Sequence, residues 1–131
     1  MKRLSVLSPL VAVLALLMLL TGCNGDPATD TYKTLRIAGV TYDATMQAAG
    51  DAYRSGHLTD EQKDTLIKYG TAFYGAWHTA REALEVYVET KNPDAAMRDR
   101  LLSLGTAALT KWTTFRDYAR DMGVLIEGGE R

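Results

Sequence analysis

The sequence predicts an all-α domain, an antiparallel up-down-up three-helix bundle, and three observations carry that expectation. Apolar and small side chains recur at steps of three and four along three long stretches, the spacing that gathers them on one face of a helix. Each stretch is bounded by residues that start or stop helices. No run of useful length alternates apolar with polar residues, as a half-buried strand would. The prolines, Pro9, Pro27 and Pro93, all fall outside the periodic stretches.

The first helix is expected from Asp30 to Ser55. Its stripe is Tyr32, Leu35, Ala38/Gly39, Tyr42, Thr45/Met46, Ala49 and Ala52/Tyr53, with Asp30 as the cap and Gly56 placed for a left-handed C-terminal stop. The second helix opens on Thr59-Asp60-Glu61-Gln62, a capping box in which the Thr59 hydroxyl serves the Gln62 amide and the Gln62 side chain reaches back. Asp60, Glu61 and Asp64 add negative charge at the positive end of the helix dipole. Its stripe is Leu66, Tyr69/Gly70, Phe73, Trp77, Ala80, Leu84 and Tyr87/Val88, ending near Thr90. The third helix is announced by Asn92-Pro93-Asp94, with asparagine at the cap and proline in the first turn. Its stripe runs through Met97, Leu101, Leu104, Ala108, Trp112, Phe115, Tyr118/Ala119 and Met122. Arg116 and Arg120 lie near its negative end, and Gly123 closes it.

Short turns between helices of this length force antiparallel neighbours. With the second turn centred near Lys91, register sets Trp77 opposite Gly105 and Trp112 opposite Gly70, and the first turn brings Ala38 and Gly39 beside Trp77. An interior glycine costs a helix up to about 1 kcal/mol relative to alanine, so admitting an indole is a reason for these glycines to stand there. Trp77 is therefore expected to be a buried packing residue. Val124-Leu125-Ile126 is expected either to fold back on its own bundle or to meet a neighbour.

The amino-terminal residues do something else. Met1-Lys2-Arg3 is cationic, and Leu4 to Leu20 is apolar except for Ser5, Ser8 and Pro9. That length fits an export h-region better than a membrane span of about 20 apolar residues. Leu20-Thr21-Gly22-Cys23 follows at once, an aliphatic residue, two small residues and a cysteine. This resembles the lipobox of bacterial lipoproteins. The resemblance implies cleavage before Cys23, transfer of a diacylglyceryl group to the Cys23 thiol, and a stable membrane anchor, since two or three acyl chains hold where one is marginal. It also implies the sorting preference of that family: a non-aspartate at Asn24 directs the protein, in a Gram-negative cell, to the outer membrane facing the periplasm. Three parts are thus expected: a lipoprotein signal peptide over 1–22, the acylated Cys23 with a short tether over 23–29, and the helical domain over 30–131. A tether of this length reaches at most about 20 Å.

Removal of residues 1–22 from a chain of 131 leaves 109, enough for one small domain. Lys2 and Arg3 go with the signal, so the 15 basic residues fall to 13 against 16 acidic ones. That balance offers no basic field for phosphates and disfavours a nucleic-acid partner. The single cysteine excludes an intrachain disulfide and a cysteine-built zinc site.

No residue pattern calls for catalysis, cofactor or metal, so none is expected. His57 lies in the first turn and His78 just off the second stripe, with no second histidine at a ligand spacing. Ser55 and Ser103 lack a base at a readable distance in sequence, and Gly70 and Gly75 lack the lysine of a phosphate loop. Glu82, Glu85 and Glu89 share one side of the second helix with Arg81 and Lys91 nearby, the composition of a solvated mixed-charge face. Aromatics are the unusual component: seven Tyr, two Trp and two Phe. Most belong to the stripes. Tyr53, Tyr74 and Tyr87 lie near stripe edges, where outward hydroxyls would suit a protein partner or a glycan.

The segment Tyr53-Arg54-Ser55-Gly56-His57-Leu58-Thr59-Asp60-Glu61-Gln62 is similar to small helical lipoproteins of prophages and bacterial genomes. That resemblance implies an accessory part in phage lysis or in surface exclusion. The functional expectation is a lipid-anchored envelope protein with a structural or interaction role, held to the membrane through Cys23, with an envelope protein partner and scope for homo-oligomers. A small-molecule or glycan-binding helical module of the periplasm is the alternative.

Overall fold

The computed structural model describes residues 26–127. The signal segment, Cys23, Asn24, Gly25 and residues 128–131 lie outside the described residues. Three helices, α1 (Pro27–Arg54), α2 (Asp60–Glu89) and α3 (Ala95–Asp121), make up the described part. Each packs on both others in an all-α three-helix bundle. Among the described residues there is no strand, and no helix is long and apolar enough to cross a membrane.

The helix ends follow local chemistry, and two starts differ from expectation. α1 begins earlier than Asp30. Asp26 is the cap, its carboxylate accepting from the Ala28 amide at 3.2 Å, and Pro27 stands at the first position, where its fixed φ and missing N–H cost nothing. Ala28 is already buried. What reads as a flexible tether is therefore a helix start from Asp26 onward. α3 is capped by Asp94, which accepts from the Met97 amide at 2.8 Å, not by Asn92. Pro93 disfavours helical backbone at the residue before it, so Asn92 stays in the turn. The start of α2 is as expected: both halves of the Thr59/Gln62 box form, at 2.9 and 3.1 Å.

α1 and α3 end alike. Gly56 and Gly123 take φ of +80° and +73°. In each case the amide beyond the glycine reaches back to the carbonyl five residues earlier, His57 to Ala52 and Val124 to Ala119. The second closure turns Val124-Leu125-Ile126 back onto the bundle. Val124 is buried, and the Ile126 amide donates to Thr45 Oγ1 at 3.1 Å, so the apolar tail folds onto its own chain.

The core has two halves. Near the α1 start, Leu35, Leu84, Leu101, Ala80 and Ala108 meet. Near the α1 end, Leu58, Leu66, Phe115, Ala119 and Val124 meet. Phe73 and Phe115 are wholly buried and contribute roughly 1.5–3 kcal/mol each. The fully buried residues of α1 are mostly small, Ala38, Thr41, Thr45 and Ala49 beside Leu35, while Tyr42, Met46 and Tyr53 pack on the core partly exposed.

The register between α2 and α3 is displaced from the expected one. Trp112 packs on Phe73, ring centroids 5.1 Å apart, instead of facing Gly70. Gly70 instead receives Tyr42 and Phe115; a Cβ there would stand 3.1 Å from Tyr42 Cε2. Gly105 faces Thr31 of α1, not Trp77. The cause is the cap. With Asp94 starting α3, the connection is centred on Asn92 and not Lys91, and facing partners move along the helix accordingly. The expected pairing of Trp77 with Gly39 is present, at 3.2 Å from the Cβ position.

Candidate functional site

The aromatic residues concentrate at the seam of α1 and α2. Trp77 points across from α2, and its Nε1–H donates to the Leu35 carbonyl at 2.8 Å. That approach depends on Gly39: a Cβ there would lie within 3.3 Å of Nε1. The indole is half-buried and not enclosed. Tyr74, one turn earlier on α2, stacks on it at 5.8 Å and 26°. Arg81, one turn later, lies over its ring at 5.5 Å and pairs with Glu85 at 3.4 Å.

Across from these residues α1 presents Arg36, Val40 and Asp43, so that an open groove of about 370 Å³ forms with the aromatic rings as its floor. Tyr42 closes the floor, touching Phe73 at 5.4 Å and Phe115 at 5.2 Å. Burial, followed by the negative charge of Asp43 and by Tyr74, pushes its phenol pKa up. The groove offers stacking faces and two guanidinium groups beside one carboxylate. Such groups are suited to stacking on and pairing with a partner.

The residues singled out in sequence mostly lie elsewhere. His57 is exposed in the α1–α2 turn. His78 is exposed beside the groove, its Nδ1 3.4 Å from Glu82, with Tyr74 and Trp77 edge-on to it. Glu82 and Glu85 are each matched by a basic partner one turn earlier, as a mixed-charge face requires, and Glu89 is exposed. Ser55 and Ser103 are exposed, and the Ser55 hydroxyl donates to the Asp51 carbonyl. Among the described residues no three His, Cys, Asp or Glu side chains come together as a metal site.

The three edge tyrosines do not form one face. Tyr53 is half-buried at the end of α1, where it donates to Asp60 at 2.6 Å and carries Lys63 over its ring. Tyr87 is half-buried at the end of α2. Only Tyr74 is exposed at the groove. The groove residues missed in sequence are Arg36, Val40, Asp43 and Arg81. Their signal is one of spacing: 36, 40 and 43 on α1, and 74, 77 and 81 on α2, are single-turn steps flanking the seam. No family model matches the chain, and no curated protein or solved structure is similar to it.

Proposed function

We propose that this chain is a lipid-anchored protein of the cell envelope with a structural or protein-interaction role, and that the α1/α2 groove is the face it offers. Acyl chains on Cys23 hold it to the membrane, the outer membrane in a Gram-negative cell. An accessory part in phage lysis or surface exclusion is a role of this kind. The observation that carries the interaction reading is the exposed aromatic floor. Tyr74 is exposed and Trp77 half-buried where they stack, although burying both fully would have stabilised the bundle more. Exposed aromatic and arginine side chains are the residues that anchor protein interfaces.

The test is capture from native membranes with the acylated protein, followed by mass spectrometry, comparing the wild type with Tyr74→Ala. The reading expects a protein recovered with the wild type and lost with Tyr74→Ala while the fold persists. Equal recovery with both would move the interaction off the groove. A second reading, glycan or small-molecule binding, draws on the groove volume, which falls in the range of ligand sites. It predicts a Trp77 fluorescence change on titration with envelope glycan fragments, absent in Tyr74→Ala.

A further inference from the structure

The outer face of α1 carries a second pattern. Between residues 31 and 42 the helix has no acidic residue, and its only charges are Lys33 and Arg36. Neither cation makes an ion pair among the described residues. Around them stand the large apolar side chains Tyr32, Ile37 and Val40, exposed to 54, 64 and 49 %. Lys33, Arg36, Ile37 and Val40 follow one another at steps of three, one and three, so they share one face of α1, opposite the Leu35 and Ala38 face that packs on the bundle. With Tyr32 they line a shallow shelf to which, among the described residues, no other helix contributes.

The chain leading into α1 limits where that face can be. Asp26 caps the helix only three residues after Cys23, a reach of at most about 11 Å. Val40 lies about 20 Å further along the helix axis. A helix so closely tied to an anchored residue, with an apolar strip flanked by unpaired cations, has the make-up of a helix lying in a membrane interface. Lysine and arginine there extend toward anionic headgroups while their stems cover apolar surface.

We propose that the outer strip of α1, from Tyr32 to Val40, lies on the lipid surface, with Lys33 and Arg36 on anionic headgroups and Ile37 and Val40 at the acyl boundary. This rests on the reading that Cys23 is acylated. The bundle then lies on its side, α1 against the membrane, with α2 and α3 away from it. A second copy centred on the same strip would bring Arg36 close to its own symmetry mate, like charge on like.

The test uses the full acylated chain in vesicles of phosphatidylethanolamine and phosphatidylglycerol carrying a lipid-borne quencher. One variant, Val40→Cys, bears a fluorophore on the strip. Another, Gly75→Cys, bears it on the outer side of α2, where an added Cβ meets nothing within 4 Å. The acylated Cys23 thiol cannot take the label. Flotation reads the anchor and quenching reads the face. The proposal expects both variants to float and the label at position 40 to be quenched several-fold more than that at 75. Adding Lys33→Glu and Arg36→Glu should erase most of the difference without ending flotation. Floating protein with equal quenching at both positions overturns the proposal and leaves the anchor standing. Energy transfer between labels at position 40 in place of lipid quenching assigns the strip to a second copy and overturns it too. Protein that does not float overturns the anchor reading and this proposal together.

Discussion

At position 39 a hydrogen stands where any other residue has a Cβ, and the indole of Trp77 occupies that space. Alanine at an interior helical glycine ordinarily stabilises by about 0.5–1 kcal/mol through backbone entropy. Whether that gain appears depends on what the new carbon meets. At Gly105 it meets only Thr31 Cγ2, at 3.6 Å, an ordinary contact. Gly105→Ala should therefore raise the melting temperature, by the equivalent of about 0.5–1 kcal/mol. At Gly39 three indole atoms lie at 3.2–3.3 Å, and the ring is fixed by its bond to Leu35 and by the stacked Tyr74. Gly39→Ala should lower the melting temperature, with a net loss of about 1–2 kcal/mol after the helix gain is counted. Thermal denaturation of the two variants side by side gives opposite signs if the packing is as described. Tyr42 supplies a pH-dependent term. Its raised pKa means the folded state holds the phenol proton in a range where the unfolded chain has released it. Stability from this group is whole below the ordinary phenol value near 10 and is lost as pH rises from there through the raised folded value. Denaturant titrations between pH 9 and pH 11.5 should show a decline that Tyr42→Phe makes shallower.

Helix ends were the least legible feature at the scale of elements. Asp26-Pro27 and Asn92-Pro93-Asp94 both set a proline beside residues able to cap, and which acid or amide caps depends on which side of the proline the helix begins. In α1 the proline is the first helical residue; in α3 it precedes the cap. Sequence spacing does not distinguish the two, whereas packing does: Ala28 is drawn into the core, and Met97 is the first stripe residue of α3. The consequence is measurable. Asp94→Ala should cost about 1 kcal/mol, while Asn92→Ala should stay within about 0.5 kcal/mol, by chemical denaturation. The converse ranking would restore the cap to Asn92. The periodic stripes, by contrast, were legible over most of their length, because a 3.6-residue repeat over more than six turns fixes which face is inward whatever the ends do; the exceptions lie at stripe ends, where Tyr32, expected inward on α1, and Val88, expected inward on α2, are exposed. α1 differs from its neighbours in what it buries. Small residues make up most of its fully buried side chains, so less apolar area holds it than holds α2 to α3. Amide hydrogen exchange of residues 24–131 should show lower protection at Ala38–Ala49 than at Leu66–Ala80 or Leu101–Phe115. Uniform protection across the three helices would mean they open as one unit.

For the whole molecule, periodicity dictates three stripes and short turns dictate an up-down-up path, and the bundle follows. The groove was not legible in the same way. Trp77 and Tyr74 carry stripe-like spacing, and only the close approach allowed by Gly39 turns them into the floor of an open site. The contrast between a well-satisfied interior and an exposed aromatic seam is what supports the interaction role proposed for the domain. No buried side-chain nitrogen or oxygen among the described residues lacks a partner. One residue, Cys23, is proposed to join that domain to a membrane. Intact and peptide mass spectrometry of the protein extracted from membranes tests this most directly. It should find an acylated peptide beginning at Cys23 and nothing from residues 1–22, and Cys23→Ala should leave the membrane fraction. A protein that retains Met1, or a Cys23→Ala chain that stays in membranes at the wild-type level, would contradict it.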